Sequence, residues 1–210
     1  MVNLRKIVEE YEILFLVDRS YSMDTADVPV SGGFLGFGGK KMSRWEAVGH
    51  EIAAFVKEVE KIDSDGLDLV FFGGTVDTFS NQNSGSIMQL FSKLQTNGGT
   101  PLDRGLNRAF GVLESSPKAK KFIFCYTDGA PNDRQAVRNT IIAQANSQKT
   151  DDEMTILFVQ VGNDQTASQF LAELDDDLVG AKYDIVDAKT ADEARNFKTV
   201  ADLIAHAIND

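Results

Sequence analysis

Carboxylate and hydroxyl side chains alternate at the point where the first apolar segment of the chain stops. The run from Glu12 to Val17 is followed by Asp18, Ser20 and Ser22, at every second position. As the chain turns away from a strand, side chains at this spacing can be drawn around a common point. One carboxylate and two hydroxyls are hard oxygen donors, which suit octahedral Mg²⁺ best, with Mn²⁺ or Ca²⁺ as alternatives. Such a triplet also recurs by chance and often caps a helix, so by itself it makes Asp18, Ser20 and Ser22 only candidate ligands of a divalent metal.

Two later segments carry the same kinds of donor. The segment Gly98-Gly-Thr-Pro-Leu-Asp103 precedes a predicted helix and contains Thr100. The segment Thr127-Asp-Gly-Ala-Pro131 follows a predicted buried strand and contains Asp128. Because both lie at the ends of predicted elements, Thr100 and Asp128 join the first three residues as candidate metal ligands.

The apolar segments around these residues predict a mostly parallel sheet. Short continuous apolar runs bounded by Gly or Asp are typical of strands buried on both faces. Such runs predict strands over Glu12 to Asp18, Leu67 to Phe72, Lys121 to Thr127 and Met154 to Val161. A short antiparallel edge strand is predicted over Val76 to Phe79, just after Gly73-Gly74, and a last strand over Tyr183 to Val186.

Helical periodicity alternates with these strands. The predicted helices are Trp45 to Ile62, Ile87 to Leu94, Leu102 to Leu113, Arg134 to Gln148, Gln165 to Leu174 and Ala191 to Ile208. This alternation predicts an α/β fold: an open, doubly wound sheet with helices on both faces, whose ligands bind beyond the carboxyl ends of the strands.

The order of the three polar segments resembles a known binding site. Asp-x-Ser-x-Ser, a later Gly-Gly-Thr-Pro-Leu and a later strand-Thr-Asp-Gly are similar to the metal-ion-dependent adhesion site of von Willebrand factor A (VWA) domains. The resemblance runs from Tyr11 to the last predicted helix, and the five expected positions are present as Asp18, Ser20, Ser22, Thr100 and Asp128.

The resemblance implies a non-enzymatic interaction domain. In it, Ser20, Ser22 and Thr100 would bind the metal directly, whereas Asp18 and Asp128 would act largely through waters. Neutral hydroxyls quench less of the ion's charge than carboxylates would, which leaves the ion attractive to an Asp or Glu carboxylate of a partner protein. The resemblance further implies one VWA domain over 1–210, of a stand-alone bacterial type, acting in a stress-response or ATPase-associated assembly.

Four of the five residues also have a simpler structural role open to them. Asp18 and Ser22 suit a turn, and Asp128 suits a tight Asp-Gly turn. Thr100 could cap a helix that has Pro101 at its first position. The presence of suitable residues at all five expected positions would then be a coincidence, so we favour the metal site.

Two other classes of function compete. Haloacid dehalogenase-like phosphohydrolases also place an aspartate after a first buried strand, and Asp18 would then be a nucleophile. That family expects a second aspartate two residues later, where this chain has Ser20. The other alternative is a VWA domain whose metal serves only to stabilise the fold.

Composition limits the partners. The formal net charge is −11 and the pI about 4.6, with no basic stretch that could follow phosphates, so nucleic acid is not an expected partner. We find neither a signal-peptide core nor an apolar stretch near the ~18 residues of a transmembrane helix, and so expect no membrane insertion and a cytoplasmic location. The only cysteine, Cys125, lies in an apolar run and is expected to be buried and inert.

One segment interrupts the alternation of strands and helices. Residues 24–43 include Ser31-Gly-Gly-Phe-Leu-Gly-Phe-Gly-Gly, which is too glycine-rich for a helix. We expect a loop insertion that leaves the end of the first strand and lies near the metal site. Phe34, Leu35 and Phe37 would either contact a partner there or fold onto their own domain.

Overall fold

The computed structural model of the chain describes residues 3–29, 41–176 and 178–209. Its strands are β1 (Tyr11–Asp18), β2 (Val28–Pro29), β3 (Lys41–Met42), β4 (Leu67–Phe72), β5 (Val76–Gln82), β6 (Lys120–Thr127), β7 (Met154–Gln160) and β8 (Val186–Thr190). Its α-helices are α1 (Leu4–Glu10), α2 (Arg44–Val59), α3 (Ser84–Lys93), α4 (Leu102–Glu114), α5 (Arg134–Ser147), α6 (Gln165–Asp176), α7 (Ala191–Arg195) and α8 (Val200–Ile208).

Six strands form one sheet in the order β5-β4-β1-β6-β7-β8. All neighbouring pairs are parallel except β4 and β5, which are antiparallel. The predicted α/β sheet with one antiparallel edge strand is therefore confirmed. Because β1 lies between β4 and β6, the polar residues that follow β1 are central at the carboxyl edge of the sheet.

Successive side chains of β1 point to opposite faces of the sheet and enter two separate cores. Ile13 and Phe15 pack with apolar residues of α1, α2, α3, α7 and α8. Leu14 and Leu16 pack on the other face with residues of α4, α5 and α6. Helices on both faces leave only the edges of the sheet open, and this explains why β1 is apolar at nearly every position.

The beginning and the end of the chain differ from the prediction. Helix α1 was not predicted; Asn3 caps it by accepting a hydrogen bond from Arg5 N at 3.0 Å. The predicted last strand, Tyr183 to Val186, is wrong, because pairing with β7 runs from Val186 to Thr190 through polar residues. The apolar residues used for that prediction include Ile185, which enters the core just before the strand begins.

The predicted single helix from Ala191 to Ile208 is two helices. Thr190 caps α7 in a reciprocal arrangement with Glu193. Thr199 caps α8, and its hydroxyl accepts a hydrogen bond from Asp202 N at 3.1 Å. A second capping threonine supplies a second helix start, which apolar periodicity alone does not reveal.

The predicted loop insertion has a small antiparallel ladder at its base. Val28 pairs with Met42, and Pro29 pairs with Lys41. Residues 30–40, including Phe34, Leu35 and Phe37, lie outside the described residues, so their predicted contact with a partner stays a prediction.

Two smaller predictions concern burial and membranes. Cys125 is a free, buried thiol, as predicted, and burial raises its pKa well above the ordinary value. Within the described ranges no helix combines the length and the apolar character needed to cross a bilayer.

Asp175, near the end of α6, makes the stability of the fold depend on pH. Partial burial and the charge of buried Asp187 raise the pKa of Asp175 from 3.8 to about 6. A raised carboxyl pKa favours the protonated form in the folded state, so this stabilisation is present at low pH and is lost as pH rises through about 6. We expect the stability difference between wild type and Asp175→Asn to favour wild type more at about pH 4.5 than at about pH 7.5.

Urea unfolding at both pH values measures this difference, because the other titrating groups are common to the two proteins. Asp65→Asn, at an exposed position before β4, is the matched control and should follow wild type. Parallel pH profiles for wild type and Asp175→Asn would contradict the prediction.

Candidate functional site

The predicted site residues lie at the carboxyl edge of the sheet. Asp18 is the last residue of β1 and pairs with Phe72 of β4. Asp128 directly follows β6, the other neighbour of β1. Ser20 and Ser22 lie in the turn after β1, and Thr100 lies in the loop that leads into α4. Parallel strand order therefore brings three distant sequence segments to one edge.

The Asp18 carboxylate is fully buried and accepts two hydrogen bonds. Ser20 N donates to Oδ1 at 2.8 Å, and Thr127 Oγ1 donates to Oδ2 at 2.8 Å. Burial, with a smaller contribution from the charge of Asp128, raises the pKa of Asp18 to about 7, although the hydrogen bonds from Ser20 and Thr127 oppose the rise. The hydrogen bond from Ser20 N shows that Asp18 has the turn role considered for it. Asp18 stabilises the turn and also lies at the predicted site.

Hydrogen bonds link the side chains of Ser20, Ser22 and Asp128 in a chain. Ser20 Oγ and Ser22 Oγ are 3.0 Å apart, and Ser22 Oγ donates to Asp128 Oδ1 at 2.7 Å. Ser20 and Asp128 are buried, whereas Ser22 is exposed. The cluster therefore reaches the surface at Ser22.

Thr100 is joined to this cluster through the backbone. Among the described residues, side-chain hydrogen bonds connect the other four predicted ligands, and Thr100 lies outside that network. Its backbone is fixed by Asn132: Thr100 N donates to Asn132 Oδ1 at 3.0 Å, and Asn132 N donates to Thr100 O at 2.9 Å. Tyr21 N donates to Gly98 O at 3.3 Å, which connects the Thr100 loop to the turn after β1.

The alternative role of Thr100 as a helix cap is wrong. Helix α4 begins at Leu102, its cap position is Pro101, and no side-chain capping bond is made there. The Thr100 hydroxyl is thus not used to start the helix.

Two residues of the site were missed by the sequence analysis. Thr127 lies within the quoted Thr-Asp-Gly segment, and its polar side chain at the end of a buried strand was a usable signal. Arg44, the first residue of α2, donates from Nη1 to Asp128 Oδ2 at 2.8 Å. No local pattern marks Arg44, because its partner is 84 residues away.

The donors at this edge fit a hard divalent cation. No set of three or more His, Cys, Asp or Glu side chains in the described part of the chain is placed to hold a metal, so a site here depends on hydroxyl oxygens as well. Adjacent oxygen ligands of octahedral Mg²⁺, each at about 2.1 Å, lie about 3 Å apart. The spacing of 3.0 Å between the hydroxyls of Ser20 and Ser22, two of the predicted direct ligands, is close to this value.

The same geometry does not favour Asp18 as a nucleophile. A carboxylate that attacks a phosphate needs an accessible oxygen. Asp18 is 0% exposed, and both of its oxygens accept hydrogen bonds from the protein.

Solved structures with the same fold include several VWA domains. The SpRpn10 VWA domain is 11% identical with a TM-score of 0.60, and the match covers 93% of each chain. The vWF domain of the type V pili tip protein Mfa5 from Porphyromonas gingivalis is 13% identical with a TM-score of 0.57, over 93% of this chain and 95% of that one. The PilB minor pilin from Streptococcus sanguinis is 15% identical with a TM-score of 0.61, over 94% of this chain and 60% of the pilin. At these identities the similarity establishes the fold alone.

Sequence comparison gives the family. No curated protein matches the sequence. The family model described as von Willebrand factor type A domain matches residues 13–130, which is more than half of the chain and includes all five predicted ligands. The chain therefore belongs to the von Willebrand factor type A domain family.

Proposed function

We propose that this chain is a protein-interaction domain that binds an acidic partner through a divalent metal, with Mg²⁺ as the preferred ion. The observation that carries the proposal is the chain of oxygens from Ser20 through Ser22 to Asp128, at the carboxyl edge of the central strand. Ser20, Ser22 and Thr100 would hold the ion, and Asp18 and Asp128 would support it. The bound ion would supply an electrophilic position for an Asp or Glu carboxylate.

The negative charge of the chain supports the proposal that a cation takes part in binding an acidic partner. At a net charge of −11 the domain repels an acidic partner at long range. Asp18 and Asp128 add two carboxylates at the binding edge itself. An acidic partner therefore requires a local positive charge, and partner affinity becomes coupled to metal concentration. A cytoplasmic stress-response or ATPase-associated assembly is the proposed context.

A pull-down from the source cells tests this proposal. The baits are wild type, Asp18→Ala and Asp65→Ala, each with Mg²⁺ and with a chelator. Asp65 is exposed and precedes β4, so it lies at the opposite edge of the sheet and controls for the loss of one negative charge. We expect an acidic protein to be retained by wild type and Asp65→Ala with Mg²⁺, and by neither in chelator.

Asp18→Ala should retain that protein in neither condition. Equal retention in all six samples would show that the metal bridge is wrong. Retention that survives chelation, together with a melting temperature that Mg²⁺ raises in wild type and Asp65→Ala but not in Asp18→Ala, would instead indicate a metal that stabilises the fold.

A further inference from the structure

A buried arginine lies between two carboxylates at the edge of the site. Arg44 Nη1 donates to Asp128 Oδ2 at 2.8 Å, and Nη2 donates to Asp27 Oδ2 at 2.6 Å. Nε donates to both oxygens of Asp27, at 3.1 and 3.2 Å. The side chain of Arg44 is 10% exposed and that of Asp128 is fully buried, so water screens this ion pair little.

The position of the guanidinium is fixed from several sides. The backbone N of Arg44 donates to Thr25 O at 3.1 Å, and Ser43 and Glu46 form a reciprocal cap at the start of α2. Gly162, with a φ of +82°, lies against the guanidinium: a Cβ there would be 2.5 Å from Arg44 Cζ. A group held this closely keeps its charge at a constant place beside Asp128.

We infer that Arg44 sets the charge balance of the metal site, lowering its affinity for the cation and raising its affinity for a partner carboxylate. This inference rests on the proposed function. With their carboxylates ionised, Asp18, Asp27 and Asp128 together with Arg44 carry two negative charges, so a bound divalent ion makes the site neutral. Without Arg44 the loaded site would carry one negative charge and would repel the incoming carboxylate.

Asp27 competes with Asp128 for the positive charge of Arg44. It shares the guanidinium and lies just before β2, at the base of the loop insertion. Its hydrogen bonds with Arg44 hold the pKa of Asp27 below its usual value, so Asp27 stays charged. Removing the charge of Asp27 leaves the positive charge of Arg44 to Asp128 alone, and this should weaken cation binding.

The two variants are therefore expected to change metal affinity in opposite directions. Calorimetric titration with Mg²⁺ should show binding at least about tenfold tighter in Arg44→Gln, because one positive charge a few ångström from a divalent ion is worth that factor even with water-like screening. Asp27→Asn should bind Mg²⁺ more weakly than wild type. Arg5→Gln, exposed on α1 at the far edge of the sheet, removes the same charge and should leave the affinity unchanged.

Acetate serves as the carboxylate probe. In Mn²⁺-loaded protein, the fall in water-proton relaxation as acetate is added reports carboxylate binding. Arg44→Gln should bind acetate several-fold more weakly than wild type, even though it binds the metal more tightly. A merely structural role for Arg44 would weaken both, since damage to the fold cannot improve the site.

The outcomes separate the inference from the function on which it rests. Absence of Mg²⁺ binding by wild type overturns both. Mg²⁺ binding by wild type that Arg44→Gln leaves equal or weaker overturns the inference alone. Should Arg44→Gln fail to fold, Asp27→Asn still decides, because unchanged or tighter Mg²⁺ binding in that variant contradicts the inference.

Discussion

Gly98→Ala is expected to destabilise the protein by about 2–4 kcal/mol, from left-handed backbone strain together with a clash against main-chain atoms. Gly98 has a φ of +70°, a conformation that residues with a Cβ rarely adopt. A Cβ there would lie 2.5 Å from Gly74 N and 2.6 Å from its Cα. Gly74 N donates to Asn97 O at 2.9 Å, so the clash would separate the β4–β5 turn from the Thr100 loop.

Urea unfolding followed by circular dichroism measures this loss. Gly111→Ala is the matched control, because Gly111 is exposed within α4 and a Cβ there meets no atom within 4 Å. That control should be stabilised by about 0.4–1 kcal/mol. If Gly98→Ala were as stable as wild type, the close approach of the two loops would be wrong.

Phe72→Ala is expected to cost about 3–5 kcal/mol, the range for truncating a buried aromatic side chain. Phe72 is 0% exposed, and it packs with residues of β1 and α4 on one face of the sheet. A Cβ at Gly105 of α4 would lie 2.9 Å from the ring of Phe72, so α4 packs closely against this ring. The cavity left by truncation could not close without moving α4, the helix that follows Thr100.

Thermal and urea unfolding measure the effect, with Val179→Ala as the control. Val179 is 89% exposed, and its truncation should change stability by no more than about 0.5 kcal/mol. A loss below about 1 kcal/mol for Phe72→Ala would contradict the packing described for this face.

The sheet and the place of the site were predictable from sequence for one physical reason. Strands buried on both faces must be apolar throughout, so their ends are marked wherever polar residues begin. The predicted strand Leu67 to Phe72 agrees with β4, and the predicted end of β1 at Asp18 is confirmed. In a parallel sheet such ends share an edge, which is why Asp18 and Asp128 could be expected to meet.

Boundaries governed by single capping side chains were not predictable in the same way. The division between α7 and α8 depends on Thr199, and the start of α1 depends on Asn3. A capping residue acts through one or two hydrogen bonds, and the same residue types are equally common in loops and turns. Apolar periodicity therefore predicted one continuous helix where the chain forms α7 and α8, and it did not predict α1.

The sequence by itself thus determined the fold class and five candidate ligands, since apolar runs and motif order are local properties. The metal stays a prediction. Only the tertiary structure placed Thr127 against Asp18 and Arg44 between Asp27 and Asp128. These contacts span 109 residues for Thr127 and 84 for Arg44 with Asp128. The packing of α2 on one face of the sheet places Arg44 beside Asp128 at the carboxyl edge, and no local pattern encodes that packing.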